Sequence, residues 1–332
     1  MKSNLYFGGV ASQVKALIIN TTGYVEGAFP VRYLGIPLFS SRLTQTHFQP
    51  LLDKIKDRIS HWANHFLSYS GKIALINSII FGLQNFWGMS VLLPKGIVKK
   101  INKICKDFLW GIEDGQRRLV FKSWDSFCLP RKEGGLSIKE ILSWNKSHLM
   151  SWIRKIDIDF STIWVKWMKA YVLQGVSIWD FQVTAAHSWG LHSIISCRDT
   201  LLHYAGTLEN AKSIIRHADF KHQIYELLRP KGVPFLAHKT LGDSFYFPKH
   251  IVIGMLAAQN KLPTIDNLCK RGFMLINRCA LCESQAESSA HLFFECVFSS
   301  SVWLLCFEWL KPPPSSQIIQ YSLLVSSMQP WC

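Results

Sequence analysis

Apolar side chains recur at three- and four-residue steps along much of the first half of the chain. One stripe runs over Leu52–Phe66, after Pro50, which suits the first turn of a helix. A second stripe runs over Ile97–Phe108, after Pro94, and a third helical region covers roughly 138–156. These periodicities predict a mainly α-helical fold.

The remaining segments are less regular. Glycines interrupt short apolar runs such as Val14–Ile19 within residues 1–45, and this pattern predicts short strands and turns. Residues 157–240 carry spaced tryptophans without a clear period, whereas helical periodicity returns over 250–274. Consecutive prolines at 312–314 predict a linker before a loose tail.

One uncharged stretch, residues 73–94, is long enough to span a bilayer. The amides of Asn77, Gln84 and Asn85 would be costly in lipid, so we expect a buried helix that is broken near Gly88. The start of the chain lacks the charged, apolar and small-residue order of a signal peptide. We therefore expect an intracellular protein, nuclear or cytoplasmic, that is neither secreted nor inserted in a membrane.

The 332-residue chain is strongly basic, with 37 Lys and Arg against 22 Asp and Glu and a formal net charge of +15. Hydrophobic residues make up 48% and charged residues 18%, which argues against a disordered chain. The positive charge favours polyanionic partners such as RNA or DNA. Nine cysteines in a long chain without an export signal indicate reduced thiols and a metal site rather than a disulfide framework.

The strongest motif, C-x2-C-x8-H-x4-C, consists of Cys279, Cys282, His291 and Cys296. Two cysteines three positions apart can chelate one ion from a tight turn, and a later His and Cys complete the tetrahedron that Zn²⁺ prefers. Because all four positions are protein ligands, we expect one structural zinc ion. The alternative is a pair of ordinary buried thiols and a core histidine. Cys269 and Cys306 lie close enough in sequence to replace a ligand, and His291 is the least secure of the four.

Basic residues cluster on the predicted helices and after them. The cations that could follow a phosphate backbone are Lys54, Arg58, Lys95, Lys99, Lys100, Lys103, Lys106, Arg117 and Arg118. Lys99, Lys103 and Lys106 share one helix face, opposite Ile97 and Ile101. The alternative interpretation is the solvated face of an ordinary amphipathic helix.

The sequence contains no recognisable catalytic motif. Two-metal phosphoryl chemistry needs clustered carboxylates, and the chain has no adjacent Asp-Asp pair. The nearest approach is Asp157-x-Asp159, for which capping of the next helix is the better interpretation. We therefore expect a protein that is not an enzyme.

Several short motifs follow one another along the chain. They are Tyr33–Leu38, Leu67–Lys72, Leu93–Gly96, Phe108–Gly111, Trp124-Asp125, Pro130–Leu136, Asn145-Lys146, Leu262–Thr264, and His291–Cys296 with Trp303. In this order they resemble the C-terminal half of reverse transcriptases from plant LINE-type (non-LTR) retrotransposons. The resemblance covers most of residues 5–310.

The resemblance implies a helical thumb-like region followed by a small zinc-binding domain, after a short β-containing segment. The implied segments are a residual palm edge (1–45), a thumb-like region that cradles a template–primer duplex (46–156), a Trp-rich connecting region (157–239), a reverse-transcriptase-type zinc-binding domain (240–310), and a Pro/Ser linker and tail (311–332). The family's aromatic-x-Asp-Asp catalytic hairpin is expected before this chain starts. We therefore interpret the chain as truncated and do not transfer polymerase activity to it.

The expected function is a non-catalytic fragment related to a retroelement reverse transcriptase. It would bind RNA or DNA, as a template–primer-like duplex, through basic helices and one structural zinc. One alternative is a zinc-organised protein-interaction module. Another is a polymerase thumb that acts only when a protein partner supplies a palm in trans, and a relic without a selected function is a further alternative.

Overall fold

The structure of the protein is a computed structural model that describes residues 4–27, 31–33, 36–38, 43–63, 67–111, 122–158, 161–235 and 248–310. This part of the chain is mainly α-helical, as predicted. Its helices are α1 (Ser12–Thr22), α2 (Gln49–Ala63), α3 (Tyr69–Phe86), α4 (Lys95–Trp110), α5 (Trp124–Phe127), α6 (Ile141–Ile158), α7 (Ile163–Trp167), α8 (Trp189–Ala205), α9 (Leu208–Arg216), α10 (Phe220–Leu228), α11 (Pro248–Ala258), α12 (Ile265–Cys269) and α13 (Val297–Leu310).

Four short strands near the N-terminus form two separate two-stranded sheets in the described residues. β1 (Asn4–Leu5) pairs in parallel with β2 (Val25–Glu26). β3 (Val31–Tyr33) pairs with β4 (Ile36–Leu38) in an antiparallel arrangement. The N-terminal segment therefore contains the expected β-structure.

The prediction of strands and turns over Val14–Ile19 is wrong, because these residues lie inside α1. Ala16 and Leu17 are strong helix formers. Gly23 ends the helix in the left-handed conformation, with φ 68°, and donates its backbone N–H to the Ile19 carbonyl oxygen at 2.9 Å. The glycine that the pattern assigned to a turn therefore terminates a helix.

The described residues of the irregular region 157–240 contain four helices, α7 to α10, that periodicity did not predict. Three of them begin at a hydroxyl side chain that accepts a hydrogen bond from the first turn: Thr162 from Val165, Ser188 from Leu191, and Thr207 from Asn210. These N-caps are the sequence signals that could have located the helices.

Asp157 does not cap the helix that follows it, contrary to the prediction. Thr162 is the N-cap of α7, whereas the Asp157 carboxylate accepts a hydrogen bond from Trp179 Nε1 at 2.8 Å. It also lies 3.6 Å from Arg216 in an ion pair. Asp159 lies outside the described residues.

The chain divides into two compact units, each drawn from segments that are distant in sequence. The first unit combines Met1–Arg58, Gly82–Ile101 and Ile141–Leu228. The second combines Ile59–Phe81, Asn102–Glu140 and Arg229–Cys332. The five-segment division implied by the resemblance stays a prediction.

Helices α6, α8, α9 and α10 enclose the core of the first unit. Its deeply buried side chains include Leu149, Met150, Ile153, Ile156, Cys197, Leu201, Ala211, Ile215 and Ile224. Removing this apolar surface from water supplies the main favourable free energy of folding in such a core.

Asn145 on α6 fixes the segment between α3 and α4 through three hydrogen bonds. Its side chain is fully buried. Oδ1 accepts from the Leu93 backbone N–H at 2.7 Å, and Nδ2 donates to the carbonyl oxygens of Gly88 and Val91, both at 3.0 Å. One amide therefore satisfies three backbone groups that no helix or strand pairs.

The uncharged stretch 73–94 is divided as expected. Helix α3 ends at Phe86 and a turn follows it at 87–90, around Gly88. Ile76 and Ile79 of α3 are buried. Over the ranges that the structure describes, no helix has the length and apolar character needed to cross a membrane.

A buried ion pair holds together two distant segments of the second unit. Arg229 donates from Nη1 and Nη2 to the two carboxylate oxygens of Glu133, at 2.8 and 2.5 Å, and the Gly232 N–H donates to the same carboxylate at 2.8 Å. The Arg229 and Glu133 side chains are 3% and 10% exposed. The hydrogen bonds from Arg229 lower the pKa of Glu133 to about 2.

Two glycines follow Glu133 because the turn has no room for side chains. Gly134 adopts φ 75°, in the left-handed region. A Cβ at Gly135 would collide with the Leu129 carbonyl oxygen. The turn thereby aims the Glu133 carboxylate at Arg229.

Replacing Asn145 with alanine is expected to lower the free energy of unfolding by roughly 3 kcal/mol, because buried backbone groups lose their partners. Urea denaturation followed by circular dichroism measures the change. Asn210→Ala is the matched control, since its exposed side chain makes one local bond, to the Ala205 carbonyl. An equal loss of unfolding free energy in the two variants would show that the Asn145 hydrogen bonds stabilise the fold no more than the surface bond of Asn210 does.

Glu133→Gln is expected to be strongly destabilising at neutral pH, by about 3 kcal/mol or more, because Arg229 keeps a buried charge without its partner. The wild-type carboxyl contributes stability above its ordinary pKa of 4.5, and this contribution is lost as the pH falls through the folded value of about 2.

Urea denaturation between pH 5 and pH 2 therefore should show a smaller acid-induced loss in Glu133→Gln than in the wild type. Glu209→Gln is the control, because the Glu209 side chain is 84% exposed and pairs with Lys212 at the surface. An unchanged acid profile in Glu133→Gln would contradict the assignment.

Candidate zinc centre

The structure brings the four predicted metal ligands together. The Sγ atoms of Cys279, Cys282 and Cys296 and a ring nitrogen of His291 all lie within 4.8 Å of one another. Cys282 Sγ is 3.3 Å from His291 Nε2. In a tetrahedral zinc site with Zn–S near 2.3 Å and Zn–N near 2.0 Å, ligand atoms lie about 3.5–3.8 Å apart. The four side chains therefore fit one Zn²⁺ ion.

A tight turn positions the first two ligands. The Glu283 N–H donates to the Cys279 carbonyl at 2.9 Å, and Glu283 itself adopts φ 53°. The Cys279 N–H donates to the Gln285 carbonyl at 2.7 Å, and the Leu281 N–H donates to Cys279 Sγ at 3.3 Å. These bonds aim both thiols at the same point, as the C-x2-C spacing predicted.

A π-helical turn, His291–Glu295, positions the other two ligands. The Cys296 N–H donates to the His291 carbonyl at 2.8 Å, five residues back along the chain. Ser288 Oγ accepts the His291 N–H at 3.0 Å and fixes the start of the turn. The wider turn allows His291 and Cys296 to face the same point.

Hydrogen bonds make Cys282 a ready thiolate. The side chain and backbone N–H of Ser284, together with the Gln285 N–H, stabilise its negative charge and lower its pKa to about 5. Burial raises the pKa of the Cys279 thiol. Zinc binds the thiolate form of cysteine, so the lowered pKa favours Cys282 as a metal ligand.

Outer contacts join the ligand turns to two helices. The Glu287 carboxylate accepts the Ile265 N–H at 3.0 Å, at the start of α12. The Glu287 backbone N–H donates to Asn277 Oδ1 at 2.7 Å. Trp303 on α13 donates from Nε1 to the Phe293 carbonyl at 2.7 Å, next to the π-helical turn. Such contacts hold metal ligands in position.

The zinc-ligand region has almost no apolar core of its own. Within the described part of 259–310, the buried residues are Thr264, Cys279, Glu287, Ser289, His291 and Cys296. Three of these six are metal ligands, and no aliphatic or aromatic side chain is among them. The metal cluster therefore takes the place that a hydrophobic core has in a larger domain.

The two alternative ligands lie outside the cluster. Cys269 donates its thiol to the Leu275 carbonyl at 3.5 Å, and Cys306 is half-buried on α13. His291, the least secure ligand in the sequence, is buried and belongs to the set.

The predicted nucleic-acid-binding residues lie on α2 and α4 where the structure describes them. Lys54 and Arg58 are exposed on α2. On α4, exposed positions are Lys95, Lys99, Lys100 and Lys103, and Lys106 is half-buried. Arg117 and Arg118 lie outside the described residues.

Two cations near the zinc ligands are engaged in local contacts. Lys270 pairs with Asp266 at 3.1 Å, and the Arg278 guanidinium donates to the Glu283 carbonyl. The acidic residues between the ligands, Glu283 and Glu287 among them, leave this turn poorly suited to grip phosphate.

Purified protein is expected to contain one zinc per chain, and Cys279→Ser and Cys282→Ser are each expected to lose it. Structural zinc contributes roughly 10–16 kcal/mol in finger peptides, so these variants should also unfold the 250–310 region. Elemental analysis and protease sensitivity report the two effects. Cys306→Ser is the matched control and should retain the metal; zinc loss in this variant would move the ligand assignment to Cys306.

Two comparisons with known proteins found similarity, and one of them covers the zinc ligands. Residues 220–303 match the family described as zinc-binding in reverse transcriptase. The chain is also 26% identical, over 112 residues, to a "Putative ribonuclease H protein" of Arabidopsis thaliana. The match covers 34% of this chain and 18% of that protein. Less than a fifth of that relative is therefore represented. Residues 220–303 of this chain are therefore similar to the zinc-binding domains of reverse transcriptases, and the four clustered ligands lie within this segment.

Proposed function

We propose that this protein is a non-catalytic, retroelement-related polypeptide that binds an RNA or DNA duplex through the basic surface of α2 and α4. The observation that carries the proposal is the row of exposed cations on α4. In this proposal one structural zinc stabilises the C-terminal region, and the duplex resembles a template–primer.

Helix α4 separates its charged and apolar residues. Ile97, Ile101 and Cys105 are buried, whereas Lys99 and Lys103 are exposed and project together at i and i+4. This arrangement leaves the ammonium groups free to approach a polyanion while the opposite face packs.

The predicted cations of α2 and α4 are not held in ion pairs in the part of the chain that the structure describes. Among the described residues, no carboxylate forms an ion pair with the seven predicted cations of these two helices. Lys100 Nζ donates to the neutral Gln45 amide oxygen at 3.3 Å. Unpaired cations retain their full attraction for phosphate.

The zinc site supports a structural role. Four protein ligands close the tetrahedron and leave no position for a reacting water. The reverse-transcriptase family match at 220–303 supports a setting in which nucleic acid is the partner.

The carboxylates support a role without catalysis. The sequence has no adjacent Asp-Asp pair. The carboxylate of Asp157 is engaged with Trp179 and Arg216, so it is poorly placed to join a two-metal centre.

Exposed apolar side chains favour a second candidate, a zinc-organised protein-interaction module. In the second unit Phe273, Met274 and Ile276 are 45%, 102% and 88% exposed, and on α13 Leu305 and Trp309 are 65% and 85% exposed. Such exposure marks protein-binding surfaces. A thumb that acts with a palm supplied in trans is a variant of the first proposal and would need that partner to restore primer extension.

Duplex affinity is expected to fall steeply with salt, because neutralised phosphates release counterions. The double variant Lys99→Gln, Lys103→Gln should bind more weakly and flatten the slope of log K against log salt by roughly 0.9 for each lost contact. Fluorescence anisotropy with a labelled duplex across a salt series measures both quantities.

Lys212→Gln is the control for this series, because Glu209 already pairs with Lys212 at 3.6 Å. It should leave the slope unchanged. Bound zinc with weak, salt-insensitive duplex binding would contradict the proposal and favour the protein-interaction module.

A further inference from the structure

A row of exposed apolar and aromatic side chains follows α7 and the π-helical turn after it, Met168–Leu173. Ile163, Trp167 and Tyr171 lie four residues apart and are 85%, 49% and 71% exposed. The Trp167 and Tyr171 rings are within 29° of parallel, with centroids 6.4 Å apart. The first unit thereby presents flat aromatic faces to solvent.

Trp167 also stands at the edge of a cavity of about 320 Å³ in the first unit. Three further tryptophans line this cavity, Trp152, Trp164 and Trp189. The ring centroids of Trp152 and Trp164 are 4.6 Å apart. A cavity of this size and lining suits a flat, aromatic ligand group.

Cations border the same aromatic residues. Lys155 Nζ lies 4.4 Å from the centre of the Trp152 ring, and Lys166 is exposed between Trp164 and Trp167. Residues 161–179 contain no Asp or Glu. Within this segment, aromatic rings and positive charge therefore occur together without an acidic side chain.

A second cation approaches Lys155 from α10. Arg154 and Lys155 both lower the pKa of Lys221, after burial as the main cause. Among the described residues no carboxylate forms an ion pair with these three cations. Positive charge is therefore concentrated where α10 approaches Lys155.

We propose that the surface formed by Trp152, Lys155, Trp164, Lys166, Trp167 and Tyr171, called the tryptophan face below, binds single-stranded nucleic acid. Unpaired bases stack on Trp167 and Tyr171 or enter the adjoining cavity, and Lys155 and Lys166 contact the phosphates. Both elements are needed, because aromatic rings recognise the base and cations recognise the backbone.

A single strand suits this face better than a duplex does. Bases in a duplex are stacked on one another and hide their flat faces, whereas an unpaired strand presents them. The tryptophan face lies on α6, α7 and the following turn, apart in sequence from the cations of α2 and α4. The inference is therefore independent of duplex binding by those helices.

The test uses the 332-residue chain and two labelled probes, a single-stranded oligothymidine about twelve nucleotides long and an abasic strand of the same length. The two probes carry the same phosphates, so the difference between their binding affinities measures the contribution of base stacking. The wild type should prefer the oligothymidine. Trp167→Ala and Tyr171→Ala should each weaken its binding roughly fivefold to 150-fold, whereas Tyr171→Phe should retain it because the ring remains.

Trp309→Ala is the matched control, because Trp309 is also exposed, at 85%, and lies in the other unit. It should bind oligothymidine as the wild type does. Circular dichroism and zinc content should be unchanged in all variants. Equal binding of the abasic strand, or equal effects of Trp167→Ala and Trp309→Ala, would overturn the proposal.

Discussion

The mutual approach of three thiols and one imidazole is the constraint on which the C-terminal part of the structure depends. Described residues 259–309 bury no aliphatic or aromatic side chain, so the apolar burial that holds the first unit together is missing there. Metal–ligand bonds supply the missing free energy and fix two turns that hydrogen bonds only shape. The π-helical turn at His291–Glu295 and the left-handed Glu283 both serve this geometry.

Local patterns predicted those parts of the molecule that depend on neighbours in sequence. The zinc ligands follow from their spacing, since eighteen residues contain the whole set, and α2 and α4 follow from their apolar stripes. The reverse-transcriptase family match and the ligand cluster confirm the zinc prediction. Helices α7, α9 and α10 escaped prediction because each is nine residues long or shorter. Helix α8 is longer, but its buried residues do not form a single stripe. Their hydroxyl N-caps were the usable signal.

Contacts between distant residues could not be predicted from periodicity. Glu133 and Arg229 are ninety-six positions apart, and the Asn145 amide bonds backbone atoms more than fifty positions away. Yet Glu133 and Asn145 both lie in motifs that carry the reverse-transcriptase resemblance. Their chemistry gives those motifs a physical meaning: Gly134 and Gly135 permit the turn that presents a carboxylate, and Asn145 satisfies backbone groups in an irregular segment.

The Asn145 contacts determine which positions of this region can accept substitutions. All three of its partners are main-chain atoms, belonging to Gly88, Val91 and Leu93. Main-chain groups persist when a side chain changes, so these three hydrogen bonds do not require particular side chains at positions 88, 91 and 93. Position 145 must keep a donor and an acceptor together. For this contact, substitutions are therefore restricted at position 145 and permitted at the positions that contribute only backbone atoms.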